Sequence, residues 1–165
     1  MNRLLVDGYN VAHKMGIKIS APTLTLVREH VERLLLSYAM VRKSRITLIY
    51  DGKGKIGSRE TNGSLEIEFT PENQTADSRI KELIDESLSK TRLMVVSSDL
   101  NICHYARISG VKSISSEAFL KEAIEVVQPN TLQQKHLRKK SHHSQEKPNT
   151  PSQKEMDEWL KLFGK

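Results

Sequence analysis

Four aspartates, Asp7, Asp51, Asp77 and Asp99, stand where apolar runs end or a helical period begins. Three of them close short β-like stretches, Leu4-Leu5-Val6-Asp7, Ile46-Thr47-Leu48-Ile49-Tyr50-Asp51 and Met94-Val95-Val96-Ser97-Ser98-Asp99, while Asp77 lies at the start of the helical pattern that follows Thr75. If those strands are parallel neighbours, their acidic ends converge at one edge of a sheet. Carboxylates crowded together repel one another, and the arrangement makes physical sense chiefly around a hard divalent cation; oxygen-only ligands favour Mg²⁺ or Mn²⁺. Such an ion polarises a phosphodiester, lowers the pKa of a bound water and steadies the departing oxygen. Phosphodiester hydrolysis is the reaction expected of the set. Taken singly, each aspartate also has a plainer reading as a turn former or helix cap, and Asp77 would suit the positive end of a helix with no catalytic role.

Other polar residues lie within reach of that edge. Asn10, three residues after Asp7, can turn back to the metal, its water or a substrate phosphate, and Ser97 or Ser98 can hydrogen-bond Asp99 or a phosphate. His13 follows the same turn and could reach a phosphate, but reads first as a partly exposed structural histidine. His104 and Cys103 are adjacent on a helix and cannot face one another. His142-His143 lacks a second ligand pair at zinc-finger spacing. None of the histidines is assigned to a metal.

The elements that must position these groups follow from periodicity. β-branched apolar runs alternate with helical periods, the signature of a mainly parallel α/β sheet flanked by helices, whose ligand crevice lies outside the carboxyl ends of the strands. Gly8-Tyr9-Asn10 reads as a turn. Leu24, Val27, Val31, Leu34, Leu35, Tyr38 and Val41 make the apolar stripe of a long helix. Residues 52–64 are rich in glycine, lysine and polar residues, and Asn62-Gly63 signals a turn before an alternating strand, Leu65-Glu66-Ile67-Glu68-Phe69. The alternation predicts an edge strand with Glu66 and Glu68 in solvent. Thr75 caps the next helix, with Ile80, Leu83, Ile84 and Leu88 facing inward. A short helix over 101–109 stopped by Gly110, a strand over 111–114, and a helix capped by Ser115 or Ser116 complete the pattern, the last burying Phe119, Leu120, Ala123, Ile124 and Val127.

The chain's 165 residues divide into a domain over 1–127, a basic flexible linker over 128–151 and an amphipathic helix over 152–165. The linker is short of apolar residues and cannot offset the cost of ordering. Its Lys135, Arg138, Lys139, Lys140 and Lys147 stand against Glu146 alone, so it supplies four of the six net positive charges. The terminal segment has a capping-box form at Ser152 to Glu155 and an apolar stripe of Met156, Trp159, Leu160 and Phe163, which needs a docking partner. Within the domain, Arg42, Lys43, Arg45, Lys53, Lys55 and Arg59 bracket Asp51. They read either as a cationic rim for a polyanion beside the carboxylates or as ordinary solvated surface. No run approaches the length of a membrane span. The start of the chain leaves no room for a signal peptide and the single cysteine, Cys103, reads as a small buried side chain in a reducing compartment; both predict a cytoplasmic protein. The sequence sets no oligomeric state.

The stretch Leu4-Leu5-Val6-Asp7-Gly8-Tyr9-Asn10 resembles the opening motif of NYN-domain nucleases. Tyr50-Asp51-Gly52, Glu72-Asn73-Gln74-Thr75-Ala76-Asp77 and Val96-Ser97-Ser98-Asp99 resemble the later motifs of its YacP-like branch, and the likeness runs through most of residues 3–127. The resemblance implies a PIN-like three-layer fold and a metal-dependent endoribonuclease. Asp7, Asp77 and Asp99 would then be the acidic core, Asn10 the motif asparagine and Asp51 the acidic residue after the second strand, with messenger RNA as substrate and the ribosome as the place of cleavage. The histidine-bearing segment Ser141-His142-His143-Ser144 departs from the family's look. Two rival classes are a non-cleaving RNA-binding or ribosome-binding module on the same fold, and a small-molecule phosphatase. The second is disfavoured because Asp7 is followed by Gly8-Tyr9 rather than the start of a D-x-D-x-T motif.

Overall fold

The structure is a computed structural model that describes residues 2–16, 19–20, 22–52 and 59–128, with backbone only for 59–62. The linker and terminal helix expected after residue 128 lie outside the described residues, as do Lys53 and Lys55.

Six strands form one sheet in the order β3-β4-β2-β1-β5-β6. β1 (Arg3–Asp7), β2 (Arg45–Tyr50), β4 (Leu65–Phe69), β5 (Leu93–Val96) and β6 (Lys112–Ile114) are parallel, and β3 (Arg59–Asn62) runs antiparallel against β4. The helices are α1 (Gly8–Lys14), α2 (Leu24–Arg42), α3 (Ala76–Glu86), α4 (Leu100–Ile108) and α5 (Ser116–Val127), with a 3₁₀ turn at Lys90–Arg92. From β1 the chain winds outward through β2 to β4, then returns to lay β5 on the other side of β1. The direction of winding thus reverses between β1 and β5, and the carboxyl edge there is the expected ligand crevice.

The buried strands are apolar on both faces because each face carries helices. On one face Leu4, Val6, Leu48 and Tyr50 pack with Val11, Val31, Leu35, Phe119 and Leu120 from α1, α2 and α5. On the other, Leu5, Ile49 and Val95 pack with Ile80, Ile84, Ile102 and Ala106 from α3 and α4. This is the three-layer α/β architecture that the periodicity and the resemblance predict.

Several expectations need correction. Gly8-Tyr9-Asn10 is the first turn of α1, because Asp7 caps the helix through the Asn10 N–H. β4 is not an edge strand: the Asn62-Gly63 turn folds β3 back along its outer side, with Gly63 at φ +60°. Glu68 is accordingly not in solvent, since its side chain is 15% exposed and accepts from Arg79 Nε at 2.5 Å, and Glu66 is 27% exposed beside Arg3. α3 stops at Glu86, so Leu88 lies wholly exposed instead of facing inward. Val41 is 60% exposed because the stripe of α2 turns off the sheet near the helix end. Cys103 is half-buried, its thiol donating to the Ser97 carbonyl. Among the described residues no helix is long and apolar enough to cross a membrane.

Candidate active site

Strand register brings three of the aspartates to one edge. Asp7 ends β1 level with Ile49 of β2, so Asp51 lies two residues further on, just beyond the end of that neighbouring strand. On the other side Val6 is level with Val96, which puts Asp99 just beyond the end of β5. Asp77 comes to the same end of the sheet by another route, in the first turn of α3 after the loop that leaves β4.

Each carboxylate is held locally. Asp7 Oδ1 accepts from the Asn10 N–H at 3.1 Å and Oδ2 from the Ser97 hydroxyl at 3.3 Å. Asp99 caps α4, its Oδ1 accepting from the N–H of Asn101 at 2.7 Å and of Ile102 at 3.3 Å. Asp51 accepts from its neighbour Gly52 N–H at 3.2 Å and from the Thr70 hydroxyl at 3.3 Å. Asp77 Oδ2 pairs with Lys81 at 2.9 Å, while its Oδ1 is buried without a hydrogen-bond partner.

Asp7 is the electrostatic centre of the group. Burial pushes its carboxyl above the ordinary range; the bonds from Asn10 and Ser97 oppose this, and the charges of Asp99 and Asp51 reinforce it. As the side chains lie, no three His, Cys, Asp or Glu residues among the described residues form a group of metal-binding size. The donor set nonetheless has the chemistry of a hard-cation site. It is all oxygen, a buried acceptor on Asp77 is unmatched, and like charges raise the cost of ionising Asp7.

Asn10 sits at the centre of a second network. Its Oδ1 accepts from the Ser98 N–H at 2.9 Å and from the Ser116 hydroxyl at 2.7 Å. Ser98 Oγ accepts from the Ser116 N–H at 3.0 Å and donates to Glu117, which pairs with Lys14 at 2.6 Å. The Lys14 ammonium and the Ser98 hydroxyl hold the Glu117 carboxyl down at about 2. Ser97 bridges the two halves, donating to Asp7 and accepting from the Asp99 N–H at 3.1 Å. Ser97 therefore reaches Asp99 through the backbone, while Ser98 serves Asn10 and Glu117.

Of the basic residues that bracket Asp51 in the sequence, the three whose side chains are described do not adjoin it. Arg42, Lys43 and Arg45 lie at the amino end of β2, a strand of six residues whose rise of ~3.3 Å each separates them from its acidic end. Arg42 instead pairs with Glu122 at 2.8 Å. Only the backbone of Arg59 is described. One cation at the carboxyl edge, among the described residues, is one that sequence reasoning missed. The Arg28 guanidinium lies 4.9, 5.3 and 5.5 Å from the ring centres of Phe69, Tyr50 and Tyr9, residues at the ends of β4 and β2 and the start of α1, and it donates to the Tyr9 hydroxyl. Ser116, Glu117 and Lys14 were missed as well, since nothing local marks a serine that bonds a residue 106 positions away.

A model of the YacP-like NYN domain matches residues 4–163. The chain belongs to the YacP-like NYN family. NYN domains are nucleases, and the matched range runs past the domain end read at Val127. Over 106 residues this NYN chain is 32% identical to the uncharacterized protein YacP of Bacillus subtilis, covering 60% of its own length and 61% of the relative's. Two crystal structures of Rae1 (YacP) from Bacillus subtilis, one a point variant, share its fold. Their TM-scores are 0.64 and 0.63 at 24% identity, over 86% and 85% of this chain and 86% and 83% of theirs.

Proposed function

We propose that this NYN domain is a metal-dependent endoribonuclease that hydrolyses phosphodiester bonds of RNA at the carboxyl edge of β2, β1 and β5. The observation that carries the reading is the register that sets Asp7 between the strand ends leading to Asp51 and Asp99; burial above all, and the charges of those two besides, push the Asp7 carboxyl up. Asp7, Asp51, Asp77 and Asp99 would hold the cation, Mg²⁺ or Mn²⁺. A bound divalent ion there supplies charge to the phosphate and an acidified water.

The chain's own residues do the rest. Ser97 fixes the Asp7 carboxylate through one oxygen and leaves lone pairs on both for the ion. Asn10, anchored on Ser98 and Ser116, borders the place of the substrate phosphate. Arg28 adds positive charge at the same edge for the RNA backbone. The family resemblance extends the reading to messenger RNA and the ribosome, and the charge of Lys135, Arg138, Lys139 and Lys140, with Lys53, Lys55 and Arg59 nearer Asp51 in sequence, makes these the further RNA contacts.

The test is cleavage of structured and single-stranded RNAs by the purified protein with Mg²⁺ or Mn²⁺, and its loss with chelator. RNA left whole while gel shifts show salt-sensitive binding would replace this reading with that of a binding module. Turnover of small phosphate esters without RNA cleavage would replace it with that of a phosphatase.

A further inference from the structure

The Asn10 carboxamide has a determinate orientation. The atom 2.9 Å from the Ser98 nitrogen must be oxygen, because a backbone N–H can only donate. The same oxygen lies 2.7 Å from Ser116 Oγ, so that hydroxyl donates too. Both lone pairs of Oδ1 are then in use, and the amide nitrogen carries no hydrogen bond to any described residue. Asn10, three residues after Asp7, thus holds two N–H donors that no described residue takes, and no acceptor. Cations require acceptors, and non-bridging phosphate oxygens require donors.

We propose that Ser116 is a positioning residue which, with the Ser98 N–H, locks the Asn10 carboxamide so that its amide nitrogen donates to a non-bridging oxygen of the substrate phosphate, and that Asn10 is not a metal ligand. This rests on the nuclease reading above and assigns Asn10 its role within it. Ser116 is wholly buried and opens α5, and its own N–H is taken by Ser98 Oγ, so the hydroxyl is aimed by the backbone that carries it. The Lys14 and Glu117 pair holds Ser98 Oγ from the other side. Without the Ser116 hydroxyl, Oδ1 keeps one bond and the carboxamide can swing, so the donors lose their direction while the carboxylates keep theirs.

The experiment is a double-mutant cycle of Ser116→Ala and Asn10→Ala. It is read by kcat and KM on RNA with Mn²⁺, by RNA affinity in chelator from fluorescence anisotropy, and by Mn²⁺ affinity from calorimetry. Ser116→Ala is expected to lower kcat/KM about tenfold and weaken chelated RNA binding several-fold in the otherwise native protein, with no further loss in the Asn10→Ala background and unchanged Mn²⁺ affinity throughout. An equal loss in both backgrounds would mean that Ser116 acts by stability or elsewhere, and overturns the proposal. So would a tenfold fall in Mn²⁺ affinity on Asn10→Ala, which makes Asn10 a ligand.

Asn10→Asp covers the case in which the alanine variants fail to fold, because it keeps the shape and both bonds to Oδ1 while replacing outward donors with an acceptor. A loss of at least a hundredfold in kcat/KM is expected, and near-native cleavage by Asn10→Asp sinks the idea. If the native protein cleaves no RNA with either metal, the nuclease reading fails and takes this inference with it. Native cleavage with an unaffected Ser116→Ala defeats this inference alone.

Discussion

Gly8 lies directly against the Tyr50 ring: a Cβ on Gly8 would overlap Cε1, stand 2.5 Å from Cδ1, and meet the Ile49 carbonyl oxygen at 3.0 Å. Tyr50 cannot yield, because it is fully buried, stacked on Phe69 at 5.4 Å and tilted against Tyr9 at 5.0 Å. The glycine of the D-G-Y-N run is thus a packing requirement that lets α1 begin at once after β1. Gly8→Ala is expected to destabilise the fold by about 1–3 kcal/mol, as overpacking does, measured by chemical denaturation. Gly63→Ala, in a left-handed turn with open space around it, should cost only about 1–2 kcal/mol of backbone strain.

Asp7→Asn and, separately, Asp77→Asn should abolish metal-dependent RNA cleavage with the fold intact, since the amide keeps the shape and loses the charge. For Asp7 a stability signature accompanies the loss. Its folded pKa lies above the ordinary value of 3.8, so between the two the native state holds more protons than the unfolded chain, and stability falls as pH rises through that window. Without divalent metal, Asp7→Asn should therefore melt higher than the native protein at pH 7, and the advantage should fade below pH 3.8. A lower melting temperature at pH 7 would contradict the burial and charge argument.

Glu117 should behave in the opposite way. Its folded pKa of about 2 lies below the usual 4.5, so the stability it contributes is present above pH 4.5 and is lost as pH falls towards 2. Glu117→Gln is expected to cost about 1 kcal/mol or less at pH 7, as partly exposed ion pairs do, and progressively less as pH falls through the folded pKa. Melting curves of the pair across that range are the check.

Removing residues 128–165 should weaken RNA or ribosome binding more than it slows cleavage at saturating RNA, because that piece carries four of the six net positive charges in its first part. The logarithmic dependence of affinity on salt should become shallower, by somewhat less than one unit of slope for each phosphate that the segment neutralises in the full chain. Unchanged affinity and slope would assign the RNA contacts to the domain alone.

What could be read from one dimension was what one dimension encodes. The stripe of α2 from Val27 to Tyr38, the caps at Thr75 and Ser115, and the three acidic strand ends each depend on residues close in sequence, and all stand in the structure. The misplacements came from distance. Arg45 and Asp51 are six positions apart in the chain yet at opposite ends of one strand, whereas Asn10 and Ser116 are bonded across 106 positions. Leu88 kept the helical period of α3 but fell after the helix had ended. β3 was hidden because its residues, Arg59–Asn62, carry no apolar alternation; pairing with β4 and the turn at Gly63 make it a strand.

Asp7 and Asp99 each begin a helix as well as lining the edge. A descendant of this chain without the proposed nuclease activity would still be held to aspartate, asparagine, serine, threonine or glycine at both positions, merely to start α1 and α4. Asp77 is under no such obligation, since Thr75 already performs that task for α3. Among the family's members, position 77 is therefore where retirement from chemistry should first be written.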